Sequence, residues 1–316
     1  MSKISRRKLL QTSLGVGSAL LAGEVIGMAD TTKPNEQKEG KNSNKLKVAI
    51  VQFRSTGDIA DNVRRHCDYI RNCAKDGARV VVFPEGSVTG FANEDITKRS
   101  AADIAQAEAT ICAAAKEANA YAIVGSPTKT DTVTYNSAVV ITPEGKIIER
   151  YHKVHLAGEP WAVPGDHLSV FPIDGTLCSI IICHDERYPE LVRLPVIAGA
   201  RIVFYISYES GITTEEKIEP YRAQIVARAE ENSIYIAHSN AAGNPKDVSR
   251  GSHGQSRFID PGGKILAEAS IFGEEVITAT FEVKKTTGYY GLQSLNCPFL
   301  KDWWEQGAAK VRVIKD

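Results

Sequence analysis

From Leu46 onward, short apolar runs alternate with longer stretches whose apolar residues recur at helical spacing. The runs 47–53, 79–83, 121–126, 135–141, 146–151 and 168–173 predict strands, as do 177–182, 201–206, 234–238, 255–259, 264–269 and 275–281. Helices are predicted over 59–75, 100–119, 189–198 and 215–232. Thr142-Pro-Glu-Gly145, Asp174-Gly175 and Pro261-Gly-Gly263 are turn signals that join neighbouring strands as hairpins. Other strands are separated by a helix. Hairpins together with βαβ units predict an α/β fold with mixed sheets. No linker or repeat of solenoid period interrupts the pattern, so 46–283 reads as a single domain.

The pattern fails at both ends. Ser5-Arg-Arg-Lys-Leu-Leu10 resembles a twin-arginine export motif, and the apolar stretch Leu14 to Ile26 after it is short and glycine-rich for a transmembrane helix. Gly27-Met-Ala29 places cleavage after Ala29, so residues 1–29 read as a signal peptide. Polar residues 30–45 bury almost nothing and read as a disordered linker. The expectation is export of a folded protein to the periplasm or outside the cell, with no stable membrane insertion after processing. The tail, 284–316, carries Tyr289, Tyr290, Phe299, Trp303 and Trp304. Aromatics at that density predict a covered surface, and the tail reads as an oligomer interface.

Composition adds exclusions. Lys+Arg and Asp+Glu balance at 38 each in 316 residues, so no basic excess points to nucleic acid. Loss of Lys3, Arg6, Arg7 and Lys8, less Glu24, leaves the processed chain slightly acidic. Cys67, Cys73, Cys112, Cys178, Cys183 and Cys297 form no CxxC pair, which argues against zinc and redox motifs. Most are expected to be free and buried.

Chemistry concentrates where strands end. The apolar run Ile180 to Ile182 stops at Cys183, polar residues follow at once, and Pro189 suits the first turn of a helix. A cysteine between a strand and a helix lies where open α/β sheets bind ligands, and the helix end would favour its thiolate. Cys183 therefore reads as a nucleophile, and Cys178, within the run, as core. A second run, Val80 to Phe83, ends in Pro84-Glu85-Gly86, and the hairpin after Tyr135 leads into Tyr151-His-Lys153-Val-His155.

Phe83-Pro-Glu85, Tyr151-His-Lys153-Val-His-Leu156 and Cys183-His-Asp-Glu-Arg-Tyr-Pro-Glu190, in that order, resemble the three signatures of the nitrilase, or carbon–nitrogen hydrolase, superfamily. Glu219 to Asn232, His253-Gly-Gln-Ser256 and Asp260-Pro-Gly-Gly263 are similar to its later fold markers. The resemblance implies a four-layer α-β-β-α sandwich with two facing mixed sheets. It also implies hydrolysis of a non-peptide C–N bond through a cysteine thioester. Glu85 would be the general base, Lys153 and the backbone N–H of His184 would stabilise the oxyanion, and Glu159 would support Lys153 or meet the leaving amine.

A small linear amide or N-carbamoyl compound is the expected substrate; the alternatives are a nitrile, or a non-catalytic binding protein that keeps the fold. No cofactor is expected, and His152, His155 and His184 lack the pattern of a metal site. Asp185 and Arg187 are expected to pair beside the nucleophile. Trp161 suits a pocket wall and Arg250 a substrate carboxylate. Family members commonly dimerise through helices beside the cysteine and through their tails, which implies a homodimer or higher homo-oligomer.

Overall fold

The computed structural model describes residues 45–209, 215–246 and 251–315. The segments read as signal peptide and linker lie outside them (Lys45 excepted), as does Arg250.

The chain runs β1 (Lys45–Gln52), α1 (Ile59–Lys75), β2 (Val80–Val82), α2 (Asn93–Thr97), α3 (Ala101–Ala118) and β3 (Tyr121–Gly125). A small hairpin of β4 (Thr128–Lys129) and β5 (Thr134–Tyr135) follows, then β6 (Ser137–Ile141), β7 (Ile147–His152), β8 (Ser169–Ile173) and β9 (Thr176–Ile182). A 3₁₀ turn, Cys183–Arg187, leads into α4 (Glu190–Ile197), β10 (Ile202–Ser207), α5 (Glu215–Glu230) and β11 (Tyr235–Asn240). Next come β12 (Arg257–Ile259), β13 (Ile265–Glu268), β14 (Glu275–Glu282), α6 (Tyr289–Gln293), α7 (Lys301–Ala308) and β15 (Arg312–Val313).

The strands form two main sheets, ordered β14-β1-β2-β3-β6-β7 and β13-β12-β11-β10-β9-β8-β15. Both are mixed. In the first, β1, β2 and β3 are parallel while β14, β6 and β7 join antiparallel. In the second, β9, β10 and β11 are parallel and β12 antiparallel.

Period-two alternation assigns each strand residue to a layer. Val48, Ile50, Val80 and Val82 of the first sheet meet Phe171, Ile180, Ile182 and Phe204 of the second in a shared inner core. Ala49, Val51 and Val81 face the other way, onto Val63 and Ile70 of α1 and Ile111 of α3. Ile181, Val203 and Tyr205 face Leu191 and Val192 of α4 and Ile225 of α5. The result is the expected α-β-β-α sandwich. α1 and α3 start on side-chain caps, Asp58 accepting from the N–H groups of Ala60 and Asp61, and Ser100 from that of Asp103.

The structure differs from the sequence reading at several points, among them the short helix α2 and the small β4–β5 hairpin, neither of which was predicted. The run 135–141 breaks at Asn136, leaving Tyr135 in the small hairpin and Ser137 in β6. Residue 255 does not start a strand, because Gln255 has φ +55° and pairing begins at Arg257. The tail is structured: Arg312 and Val313 extend the second sheet beside Ser169 and Val170, and Val311 is buried against Ala200.

All six cysteines are free, and Cys178 is fully buried in the inner core. Cys178→Ala should cost about a kcal/mol or more through lost packing. Urea unfolding checks this, and an unchanged midpoint would show that the site collapses around the smaller side chain.

Candidate active site

Glu85 follows β2 and Lys153 follows β7, both in the first sheet, whereas Cys183 follows β9 in the second. The β6–β7 ladder carries Lys153 back past Asn136, whose carbonyl accepts the Lys153 N–H at 2.8 Å. Gly125 in β3 makes room for the Glu85 turn: a Cβ there would collide with the Pro84 carbonyl and the Gly86 amide.

Lys153 Nζ donates to Glu85 Oε1 at 2.9 Å and also contacts Glu159 Oε1. Asn136 Nδ2 donates to Glu85 Oε1 at 2.7 Å and reaches Glu159 Oε1 at 3.3 Å. Glu85 Oε2 accepts the backbone N–H of Tyr208, from the second sheet, at 2.7 Å. Glu159 Oε2 accepts the Ala157 N–H at 2.6 Å. Glu85, Lys153 and Glu159 are all buried. Two carboxylates thus share one ammonium out of water.

The charges respond accordingly. Burial pushes Glu85 above the usual carboxylate range, against the pull of Lys153 and with a further push from Glu159. Burial also works to raise Glu159, but Lys153 and the hydrogen bonds hold it below that range. Lys153 stays protonated, its burial outweighed by Glu85 and the other acidic groups around it.

Cys183 sits at φ +46°, in the left-handed region that is uncommon for residues other than glycine. Asp185 holds the turn. It accepts the Ile182 N–H at 3.1 Å, the His155 N–H at 2.8 Å and the Tyr151 hydroxyl at 2.8 Å. Arg187 does not pair with Asp185, contrary to the expectation: its guanidinium lies 4.9 Å from the centre of the Tyr221 ring. The Asp185 carboxylate, which burial has pushed up to about 6, is already met by these three donors.

The expected thiolate also needs correction. Burial, then the charge of Glu85, push the Cys183 thiol well above its ordinary value, and Lys153 only partly opposes them. Cys183 rests as a neutral thiol.

Lys153, Glu159, Cys183 and His184 line one cavity of about 670 Å³, walled by Phe91, Trp161, Tyr208 and Tyr221. Phe91 and Tyr208 stack with ring centres 4.4 Å apart. Burial keeps the half-buried His184 ring neutral. Asn136, Tyr208 and Glu209 were not singled out as site residues from the sequence. The signal for Asn136 was a polar residue interrupting an otherwise apolar run. Among the described residues no three His, Cys, Asp or Glu side chains cluster to hold a metal ion.

In its fold the molecule is similar to solved amidases. It matches an amidase from Nesterenkonia sp. with a TM-score of 0.71 at 23% identity, over 82% of this chain and 96% of that one. A double mutant of the Nesterenkonia sp. AN1 amidase in complex with acrylamide matches at 0.72 and 20% identity, over 83% and 98%. In sequence, the chain is 29% identical over 234 residues to the 2-oxoglutaramate amidase of Bacillus subtilis (strain 168), covering 71% of this chain and 86% of that protein. It is 26% identical over 252 residues to the omega-amidase of Homo sapiens, covering 76% and 90%. The carbon–nitrogen hydrolase model matches residues 47–290, and the chain belongs to that family.

Proposed function

We propose that this chain hydrolyses the C–N bond of a small linear amide or N-carbamoyl compound, with Cys183 as nucleophile and Glu85 as general base. The carrying observation is Glu85: a buried carboxylate raised above its ordinary range and bonded to Lys153, which lines the cavity together with Cys183. Such a group is matched to taking a proton near neutral pH.

Glu85 takes the thiol proton as Cys183 Sγ attacks the carbonyl carbon. The oxyanion forms against the Lys153 ammonium and the His184 backbone N–H. Glu85 returns the proton to the leaving nitrogen, the C–N bond breaks and a thioester remains. Glu85 then deprotonates a water that attacks the thioester, releasing the acid and restoring the thiol. Glu159 keeps the Lys153 ammonium in place between the two carboxylates. Amides are favoured because amide cleavage is what the names of the similar proteins report.

A screen of small amides, N-carbamoyl compounds and nitriles, reading released ammonia, tests the reading. Cys183→Ala and Glu85→Gln should abolish turnover while leaving the fold nearly intact. Because Glu85 acts ionised and its range is raised, activity should fall as pH drops through a value above 4.5. Near wild-type turnover by Glu85→Gln excludes Glu85 as the base.

The twin-arginine-like stretch Ser5 to Leu10 supports export after folding. Arg6→Lys with Arg7→Lys should strand the protein inside the cell; unchanged export rejects that route. Among the described residues no helix is long and apolar enough to cross a membrane.

Homo-oligomerisation through the tail is supported by Phe299 at 91% exposure and Trp303 at 55%, on a segment packed beside α4. Deletion from Lys284 should shift sedimentation towards monomer. Equal sedimentation of the full-length and shortened chains places any interface elsewhere.

A further inference from the structure

Behind Cys183 lies a buried polar cluster that the reaction scheme leaves unused. Tyr205 sits on the helix-facing side of β10, fully buried, with its ring stacked 4.1 Å from His238. Its hydroxyl lies 2.6 Å from Glu209 Oε1 and 3.2 Å from the carbonyl oxygen of Cys183. One phenolic proton therefore faces two acceptors, the carboxylate closer.

Glu209 is itself pinned. Its Oε2 contacts His253 Nε2 and accepts from Asn240 Nδ2 at 3.3 Å, and His238 Nε2 stands 3.7 Å from Oε1. Burial alone would raise Glu209, but the charge and hydrogen bond of His253, with help from His238, hold it at about 2. Burial keeps the Tyr205 phenol protonated, and it keeps neighbouring Glu186 neutral with the Glu209 charge adding to the effect. Glu209 is thus a fixed, ionised acceptor whose oxygens are already engaged, which unfits it as a base.

Asp185 grips the strand side of the left-handed turn. The carbonyl of Cys183 takes part in the 3₁₀ turn and also lies within reach of the Tyr205 hydroxyl, a side-chain contact from β10 that ties the turn to the second sheet. Left-handed backbone at a residue with a side chain persists only where its surroundings over-determine it.

We propose that Tyr205 and Glu209 are positioning residues for the nucleophile: the phenol proton is forked, its shorter arm on Glu209 setting the orientation of the hydroxyl and its longer arm reaching the Cys183 carbonyl, and this restrains the turn that presents Sγ to the cavity. This rests on the reading of Cys183 as the nucleophile. Tyr205 does not line the cavity, so the signature of its role is a loss in kcat without a matching change in KM; Glu209 also lines the cavity and is read through its effect on the alkylation rate.

The test compares Tyr205→Phe, Glu209→Leu and Glu209→Gln in the full-length protein. Two quantities are read: kcat and KM on the best amide, and the rate at which iodoacetamide alkylates Cys183, followed by peptide mass. Tyr205→Phe keeps the ring and its stack and loses only the hydroxyl. It should lower kcat and the alkylation rate about tenfold, with KM within about twofold, the scale of one lost hydrogen bond. Glu209→Leu should match it. Glu209→Gln, whose amide oxygen still accepts the phenol, should recover most of the loss.

Tyr205→Phe with wild-type kcat and alkylation overturns the proposal. So does Glu209→Gln as damaging as Tyr205→Phe, since charge rather than a held phenol would then be at work. Those two variants decide the matter even where Glu209→Leu fails to fold. If the unaltered chain releases ammonia from no amide, the proposed function has failed, and the alkylation rates still decide the positioning role.

Discussion

The constraint on which the site depends is the Lys153 ammonium, buried between Glu85 and Glu159. A charge taken out of water costs several kcal/mol unless partners compensate it. Two carboxylates around one cation overcompensate, and the excess falls unequally. Glu159, also bound by a backbone N–H, stays ionised, while Glu85 is left as the carboxylate most ready to accept a proton. Asn136 and the Tyr208 amide supply further donors, so protein groups hold the imbalance in place. Basicity here is a product of packing.

The same burial governs Cys183. A cysteine beside a lysine and a helix start suggested a standing thiolate, yet the surrounding carboxylates and the loss of water keep the thiol protonated. Such a site does not store its nucleophile in reactive form. On the proposed mechanism, proton transfer to Glu85 is part of the reaction, and free thiolate chemistry is suppressed between turnovers. The resting state is guarded.

Much of this was legible in the chain. Apolar runs that stop abruptly at Glu85 and Cys183 marked strand ends, and the three hairpin turns were readable from Pro, Gly and Asp. What escaped has physical causes. Asn136 looked like one more strand residue, because a break in pairing depends on where the next hairpin folds back. Asp185 beside Arg187 suggested a pair by proximity in sequence, but backbone amides of Ile182 and His155 reach the carboxylate first. The roles of Tyr205 and Glu209 could not be read from the chain, since their partners His238, Asn240 and His253 come from distant strands and loops.

The bond from the Tyr208 amide to Glu85 joins the two sheets at the mouth of the sandwich. On the proposed mechanism each sheet carries half of the machinery, with Glu85 and Lys153 after strands of one and Cys183 after a strand of the other. A chain that has formed only one sheet, or has formed both without docking them, is chemically silent. The inner core, from Val48 and Ile50 to Ile180 and Phe204, thereby acts as a ruler that sets the gap between the halves. Turnover becomes a clock for the docking step, reporting its completion more directly than secondary structure does.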